Sequence, residues 1–466
     1  MSKFLVGAVA GIGVLGVWFF VNAAEPGSAA QASPADRPDA AKFSKVAEMV
    51  RDKCMACHTR GYDLPFYASI PGIRQIIEKD YTDGLRALDL REEFGEKAAG
   101  SPVSEAVIAK MEWVTVNETM PPAKFTAVHW SARVSSKDRE EILDWVKAAR
   151  AVHYPQPLSV ASRRNEPVQP LPDALPVSSA KVDLGKKLFN DKRLSVDDTL
   201  ACAGCHDLQK AGTDNQRFAE GVRAQFGDIN APTVFNAVFN ISQFWNGRAA
   251  DLAEQVGGPP FNPIEMGSKD WKQVIDKLSK DEALTKAFAA VYPDGWTGDN
   301  IMNAVAEYEK TFITPNSRFD KWLKGDDGAL TADELTGYRR FVAYRCSSCH
   351  VGASLGGKSY EYTDLKKDYF ADRGNPLGSD AGRKDFTGKE EDLHKFKVPN
   401  LRNIELTWPY LHDGTVTTLR DAVRIMGIYL SGMDIPQADN NKIVAFLRTL
   451  TGEYQGKKVG GQPAAE

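Results

Sequence analysis

The sequence predicts a mainly α-helical chain built from three small units in series, preceded by one apolar N-terminal segment. Three observations predict it. The pattern Cys-x-x-Cys-His occurs three times, as Cys54-Met-Ala-Cys57-His58, Cys202-Ala-Gly-Cys205-His206 and Cys346-Ser-Ser-Cys349-His350, and consumes all six cysteines. Each copy follows a stretch with apolar residues three and four apart (43–53, 182–190, 335–345), and a later stretch of the same kind follows at 139–150, 301–312 and 441–450. Finally, 466 residues at 42% hydrophobic and 26% charged have the composition of folded domains and exceed one ordinary core.

The elements follow in order. Residues 4–21 form one uncharged apolar run after Lys3, and at about 1.5 Å per residue they nearly cross a bilayer core of about 30 Å. Residues 1–23 therefore read either as a retained transmembrane helix or as a signal peptide cut near Ala23 and Ala24. In both readings Lys3 stays inside and the remainder is delivered to the periplasmic side of a bacterial inner membrane. Residues 24–40, rich in Ala, Pro and Ser, read as a tether, and 41–153 as the first unit. Residues 154–177 carry Pro155, Pro157, Pro167, Pro170, Pro172 and Pro176 and read as an extended connector. The second unit is expected over 178–328, ending at Gly-Asp-Asp-Gly, the third over 329–454, and a disordered tail over 455–466. A net charge of −4 without any polybasic run excludes nucleic acid as a partner.

Six cysteines in an exported chain would ordinarily suggest three disulfides, but here a His follows the second Cys every time and no Cys falls elsewhere. Cysteines three apart on a helical turn project to one side, where both can be joined to one porphyrin while the adjacent His reaches its iron. The pattern therefore predicts three covalently bound haem c groups on Cys54 and Cys57, Cys202 and Cys205, and Cys346 and Cys349, with His58, His206 and His350 as iron ligands. For the first haem, Met120 in Glu-Thr-Met-Pro-Pro is the preferred sixth ligand and His129 its rival. His153 and His394 are expected in surface-loop surroundings without a role.

From about residue 165 to 452 the chain also carries Asn230-Ala-Pro-Thr-Val-Phe-Asn236, Phe244-Trp-Asn-Gly-Arg248, Gly257-Gly-Pro-Pro260, Asn262-Pro-Ile-Glu-Met266 and Pro409-Tyr-Leu-His412. In these it resembles the bacterial di-haem cytochrome c peroxidases, and the whole chain resembles their membrane-anchored tri-haem branch, which includes quinol peroxidases. The resemblance implies reduction of hydrogen peroxide at the second haem, with Glu265 as the distal acid-base and Gln255 as a peroxide hydrogen-bonding group. It implies that Trp245 lies between the second and third haems, that Met426 ligates the third, and that calcium is held by Asn230 and the backbone oxygens of Thr407 and Pro409. Read without it, Glu265 would be solvated surface, Trp245 core packing and Met426 a core methionine.

One departure from the family pattern is informative. Many members place a histidine that caps the resting iron where this chain has Val222, and no His lies between His206 and His350. A second haem with an open face in the oxidised state is therefore expected. His412 is expected to be structural or to contact a haem propionate. The resemblance implies a quinol, a small cytochrome c or a cupredoxin as donor, and pairing as homodimers. A competing reading is a multihaem electron-transfer cytochrome without peroxidase activity of its own. A third, modification of a partner protein, is disfavoured because the relative that does so has tyrosine at the Met426 position.

Overall fold

The computed structural model describes residues 37–464, so the apolar run at 4–21 lies outside them. Among the described residues, no helix is long and apolar enough to cross a membrane. The structure is mainly helical, with three large apolar cores, and Cys54, Cys202 and Cys346 pack against one core each.

The first core forms because Ala40–Lys53 places Phe43, Val46, Ala47 and Val50 on one stripe, spaced three and four apart. That stripe meets Ser136–His153, which contributes Ile142, Trp145, Val146 and Ala149. A capping box between Ser135 and Asp138 starts the returning helix, and Phe43 stacks on Phe94 with centroids 5.6 Å apart. In the second core Ser179–Phe189 crosses Gly298–Glu309, and in the third Ala332–Ala343 crosses Gln437–Leu447. Both crossings are closed by a glycine. A Cβ on Gly185 would stand 1.9 Å from the Ala304 carbonyl oxygen, and one on Gly337 1.9 Å from that of Lys442. All six helices expected around the motifs are present, each starting three or four residues before its sequence-predicted start.

Among the described residues, strands are confined to two small antiparallel pairs. Tyr360–Tyr362 pairs with Lys395–Lys397, placing Glu361 opposite Phe396, and Glu453–Tyr454 pairs with Lys457–Lys458. Two further helices, Ile73–Ala87 and Glu105–Val116, enlarge the first unit. The connector after His153 lies against the third unit: Val168 is fully buried, bridges to Gly352, and is followed by Gln169, whose carbonyl accepts from Arg402 Nη2 at 2.8 Å.

Three expected boundaries move. The tether does not extend to residue 40, because Asp39 is buried against His153 and Ala40 already begins the helix. The third core starts before residue 329: Arg318–Leu323 buries Phe319, Trp322 and Leu323 in it, with Phe319 5.0 Å from Phe446. The tail is ordered from 455 to 464. Gln455 and Gly456 turn the chain back with positive φ, Val459 plugs the second core, and the Gln462 carbonyl accepts from Trp408 Nε1 at 2.9 Å.

Candidate functional site

The three motifs occupy short helical turns, Met55–His58, Cys202–Cys205 and Cys346–Ser348. All six thiols are free, so none forms the disulfides that an exported cysteine-rich chain would suggest. Among the described residues no cluster of three or more His, Cys, Asp or Glu is arranged to hold a metal ion. Burial pushes the Cys54 thiol up to about 11 and those of Cys202 and Cys346 up to about 12.

The histidines fit a haem iron by a common device. His58 Nδ1 lies 2.8 Å from the Leu88 carbonyl, His206 Nδ1 3.3 Å from that of Gly212, and His350 Nδ1 3.0 Å from that of Leu355. A carbonyl oxygen only accepts, so each Nδ1 carries the proton and each Nε2 keeps its lone pair for a metal. Burial lowers the pKa of all three rings, that of His350 to about 4, which keeps them in the neutral, ligating form.

Glu265 lies beside the second motif, where its charge acts on the Cys205 thiol. It sits in the turn after Pro259–Phe261, where its own N–H donates to the Asn262 carbonyl. Asn262 Nδ2 donates to Glu265 Oε1 at 2.6 Å, and the second carboxylate oxygen accepts no hydrogen bond among the described residues. Burial raises the Glu265 pKa, opposed by the Arg248 charge and the Asn262 hydrogen bond. Val222 is buried, and its N–H donates to the Glu265 carbonyl at 2.8 Å, so it braces the loop that carries the acid. Gln255 lies on Leu252–Val256, and its amide makes no hydrogen bond within the described residues. Trp245 bridges the second and third units: its Nε1 donates to the Asn230 carbonyl at 2.9 Å, and its own carbonyl accepts from the Lys397 N–H at 2.8 Å. Its ring meets Phe396 edge-on at 6.4 Å.

Met426 closes Leu419–Ile425, where the helix widens into a π-turn over Met426–Ser431, a feature that often marks functional positions. Met120 is 39% exposed on the loop before Ala123–Thr126. His129 has both ring nitrogens engaged, Nε2 with Tyr67 Oη at 2.7 Å and Nδ1 with the Phe125 carbonyl at 3.2 Å.

Residues 179–328 match the family described as di-haem cytochrome c peroxidase, and residues 13–148 match the one described as haem-binding domain. The cytochrome c peroxidase of Escherichia coli strain K12 is 46% identical over 449 residues, 96% of this chain and 95% of that one. The chain belongs to the di-haem cytochrome c peroxidase family. The cytochrome c551 peroxidase of Nitrosomonas europaea is 46% identical over 63% of this chain and 87% of its own. Among solved structures, a MauG-like protein associated with microbial copper homeostasis superposes with a TM-score of 0.55 at 28% identity, covering 61% of this chain and 95% of that one. This chain is a peroxidase and binds haem c.

In the peroxidase, three further histidines each pair with an aspartate. His412 Nε2 hydrogen-bonds Asp380 Oδ1 at 2.9 Å within a buried cluster in which Arg373 pairs with both Asp380 and Asp413. His153 and His394 are not idle surface residues: the first pairs with Asp39 at 2.9 Å, and the second with Asp364 at 2.8 Å while stacking on Phe370. Each partner is distant in sequence, which hid the pairing. The residues expected to hold calcium lie on two segments that are tied together, the Asn230 N–H donating to the His412 carbonyl at 2.7 Å. Asn230 Nδ2 donates to the Gln216 carbonyl at 2.8 Å, and Asn215 Nδ2 to the carbonyls of Leu406 and Trp408, also at 2.8 Å, flanking Thr407 and Pro409.

Sequence reasoning missed the joint between the first and third units of the peroxidase. Lys110 Nζ stands 2.7 and 2.9 Å from the two oxygens of Glu361, and both side chains are 8% exposed. Lys110 acts electrostatically on His58, and Glu361 on Cys349 and His350. Trp113 Nε1 donates to the Val342 carbonyl, and Arg86 pairs with Asp364 across the same joint. Nothing in the sequence marks Lys110 as buried. Arg248, which opposes Glu265, was visible only as part of a matching motif.

Proposed function

We propose that this peroxidase is a tri-haem enzyme, anchored through residues 4–21 on the periplasmic side of a bacterial inner membrane, that reduces hydrogen peroxide at the haem on His206. The reaction takes two electrons and two protons and yields two waters. Bound haem supplies the iron that accepts peroxide oxygen and the redox equivalents that break the O–O bond. Glu265 takes the proton from the inner peroxide oxygen and returns it to the departing outer oxygen, and Gln255 orients the peroxide by hydrogen bonding. The first unit receives electrons from a small cytochrome c or a quinol, and Trp245 links the third unit to the second. Met120 and Met426 complete the first and third haems, and calcium on Asn230, Thr407 and Pro409 holds the last two units in register.

The observation that carries this reading is the Glu265 carboxylate, half-buried beside Cys205 with one oxygen held by Asn262 and the other unengaged. Glu265→Gln keeps shape and hydrogen bonding but removes the proton shuttle. Turnover with peroxide and reduced cytochrome c should fall by about 10²- to 10⁴-fold with the haem spectra unchanged. Near-full turnover in that variant would remove Glu265 from the mechanism and return the chain to simple electron conduction.

A further inference from the structure

Ten of the sixteen large apolar side chains exposed among the described residues belong to the first unit. Phe66 is 88% exposed, Trp130 76%, Val128 74% and Ile76 59%, values that leave most of each residue facing solvent. They form one face. Tyr67 Oη meets His129 Nε2 at 2.7 Å and ties the loop carrying Phe66 to the loop carrying Val128 and Trp130. Phe125 stacks on His129 at 4.2 Å and stiffens the second loop. The face continues along Ile73–Ala87, away from the first motif: Gly84 abuts Cys57, and Ile76 lies eight residues earlier, about 12 Å along the helix axis. An exposed apolar patch of this kind marks a contact surface.

We propose that this face docks on the lipid bilayer, with Phe66, Val128, Trp130 and Ile76 seated at the boundary between headgroups and acyl chains. The inference rests on the anchored reading of residues 4–21. Only residues 22–36, rich in Ala, Pro and Ser, separate that apolar run from the first described residue. Fifteen residues reach about 50 Å at most, so an anchored first unit stays within that distance of the membrane surface. Bulky aromatic and branched side chains on a rigid face are the residues that partition into the interface. The neighbouring charges neutralise one another, as Arg74 with Glu78, Lys79 with Asp83 and Lys124 with Asp80, so no cationic field is present to draw anionic headgroups. Docking is therefore apolar and insensitive to salt.

The test uses the full-length holoprotein in phosphatidylcholine vesicles whose acyl chains carry a photoactivatable diazirine, with adducts mapped by peptide mass spectrometry. Lipid adducts are expected on peptides covering 62–76 and 123–132 as well as on 4–21, at low and high salt alike. In the combined variant Phe66→Ser, Val128→Ser and Trp130→Ser, adducts on the two face segments should fall by about tenfold or more while those on 4–21 persist and the haem spectrum is unchanged. Absence of lipid from 62–76 and 123–132 overturns the proposal whether or not 4–21 is labelled. Adducts on the face without any on 4–21 would sink the anchored reading alone. A dimer that dissociates in the triple variant, with no adducts on the face, would assign the surface to a second copy of the chain and overturn the bilayer assignment.

Discussion

Replacing Lys110 by Met should open the joint between the first and third units. The long apolar stem is retained, but Glu361 keeps only the Ser359 hydroxyl at 2.8 Å in place of an ammonium at 2.7 and 2.9 Å, with 8% exposure to water. Removing one partner of a buried ion pair strands the other charge and costs about 3–5 kcal/mol, whereas replacing both by apolar groups is neutral or stabilising. At about 1.4 kcal/mol per tenfold, the single variant shifts the docked–undocked equilibrium by roughly 10²- to 4 × 10³-fold. The double variant Lys110→Met with Glu361→Leu should recover most of that. Global unfolding of a chain with three cores is not two-state, so amide hydrogen exchange is the suitable readout. Exchange should rise at 105–116 and 359–363 in the single variant and return towards wild type in the double. If the single variant exchanges like wild type, or the double is as open as the single, the pair is not what closes the joint.

Three further outcomes follow from particular residues. With a buried Val222 where the sequence resemblance implies a capping histidine, the oxidised enzyme should show one high-spin ferric haem and turn over peroxide without prior reduction; a spectrum that is entirely low-spin would refute this. Glu309 is 6% exposed, and burial alone holds its carboxyl at about 8. The folded state therefore binds a proton that the unfolded chain releases between its ordinary pKa near 4.5 and 8, so stability falls as pH rises through that window. The loss is on the order of 4–5 kcal/mol, and in Glu309→Gln urea melts of the second core should lose this pH dependence. Gly185→Ala and Gly337→Ala would each drive a methyl to 1.9 Å from a carbonyl oxygen, and should lower stability by about 1–3 kcal/mol or more in thermal scans; unchanged melting would show that the crossings relax.

What was legible in the sequence is what local chemistry enforces. A covalent porphyrin demands two cysteines three apart with the histidine adjacent, so the motifs and the helices around them could be read without knowing the fold. Helix Glu105–Val116 could not be read that way. It buries Ala106, Val107, Ile108, Ala109, Met111 and even Glu105 and Lys110, because one side faces its own core while another meets Val351 and Glu361 of the third unit. A helix packed on several sides carries no single apolar stripe, and a lysine on it reads as solvent-facing until its carboxylate arrives from 251 residues away. The same holds for His153 with Asp39, 114 residues apart. Glu265 was recoverable only through its neighbours, since no periodicity distinguishes an acid in a turn from a solvated one. Its surroundings are set by Val222, Asn262 and Arg248 converging from separate loops, and that convergence is a property of packing between segments. The joint at Lys110 is the more exacting case. Neither residue carries a motif, yet their charges bear on His58 and His350, so the coupling between the first and third units depends on a contact that only the folded chain creates.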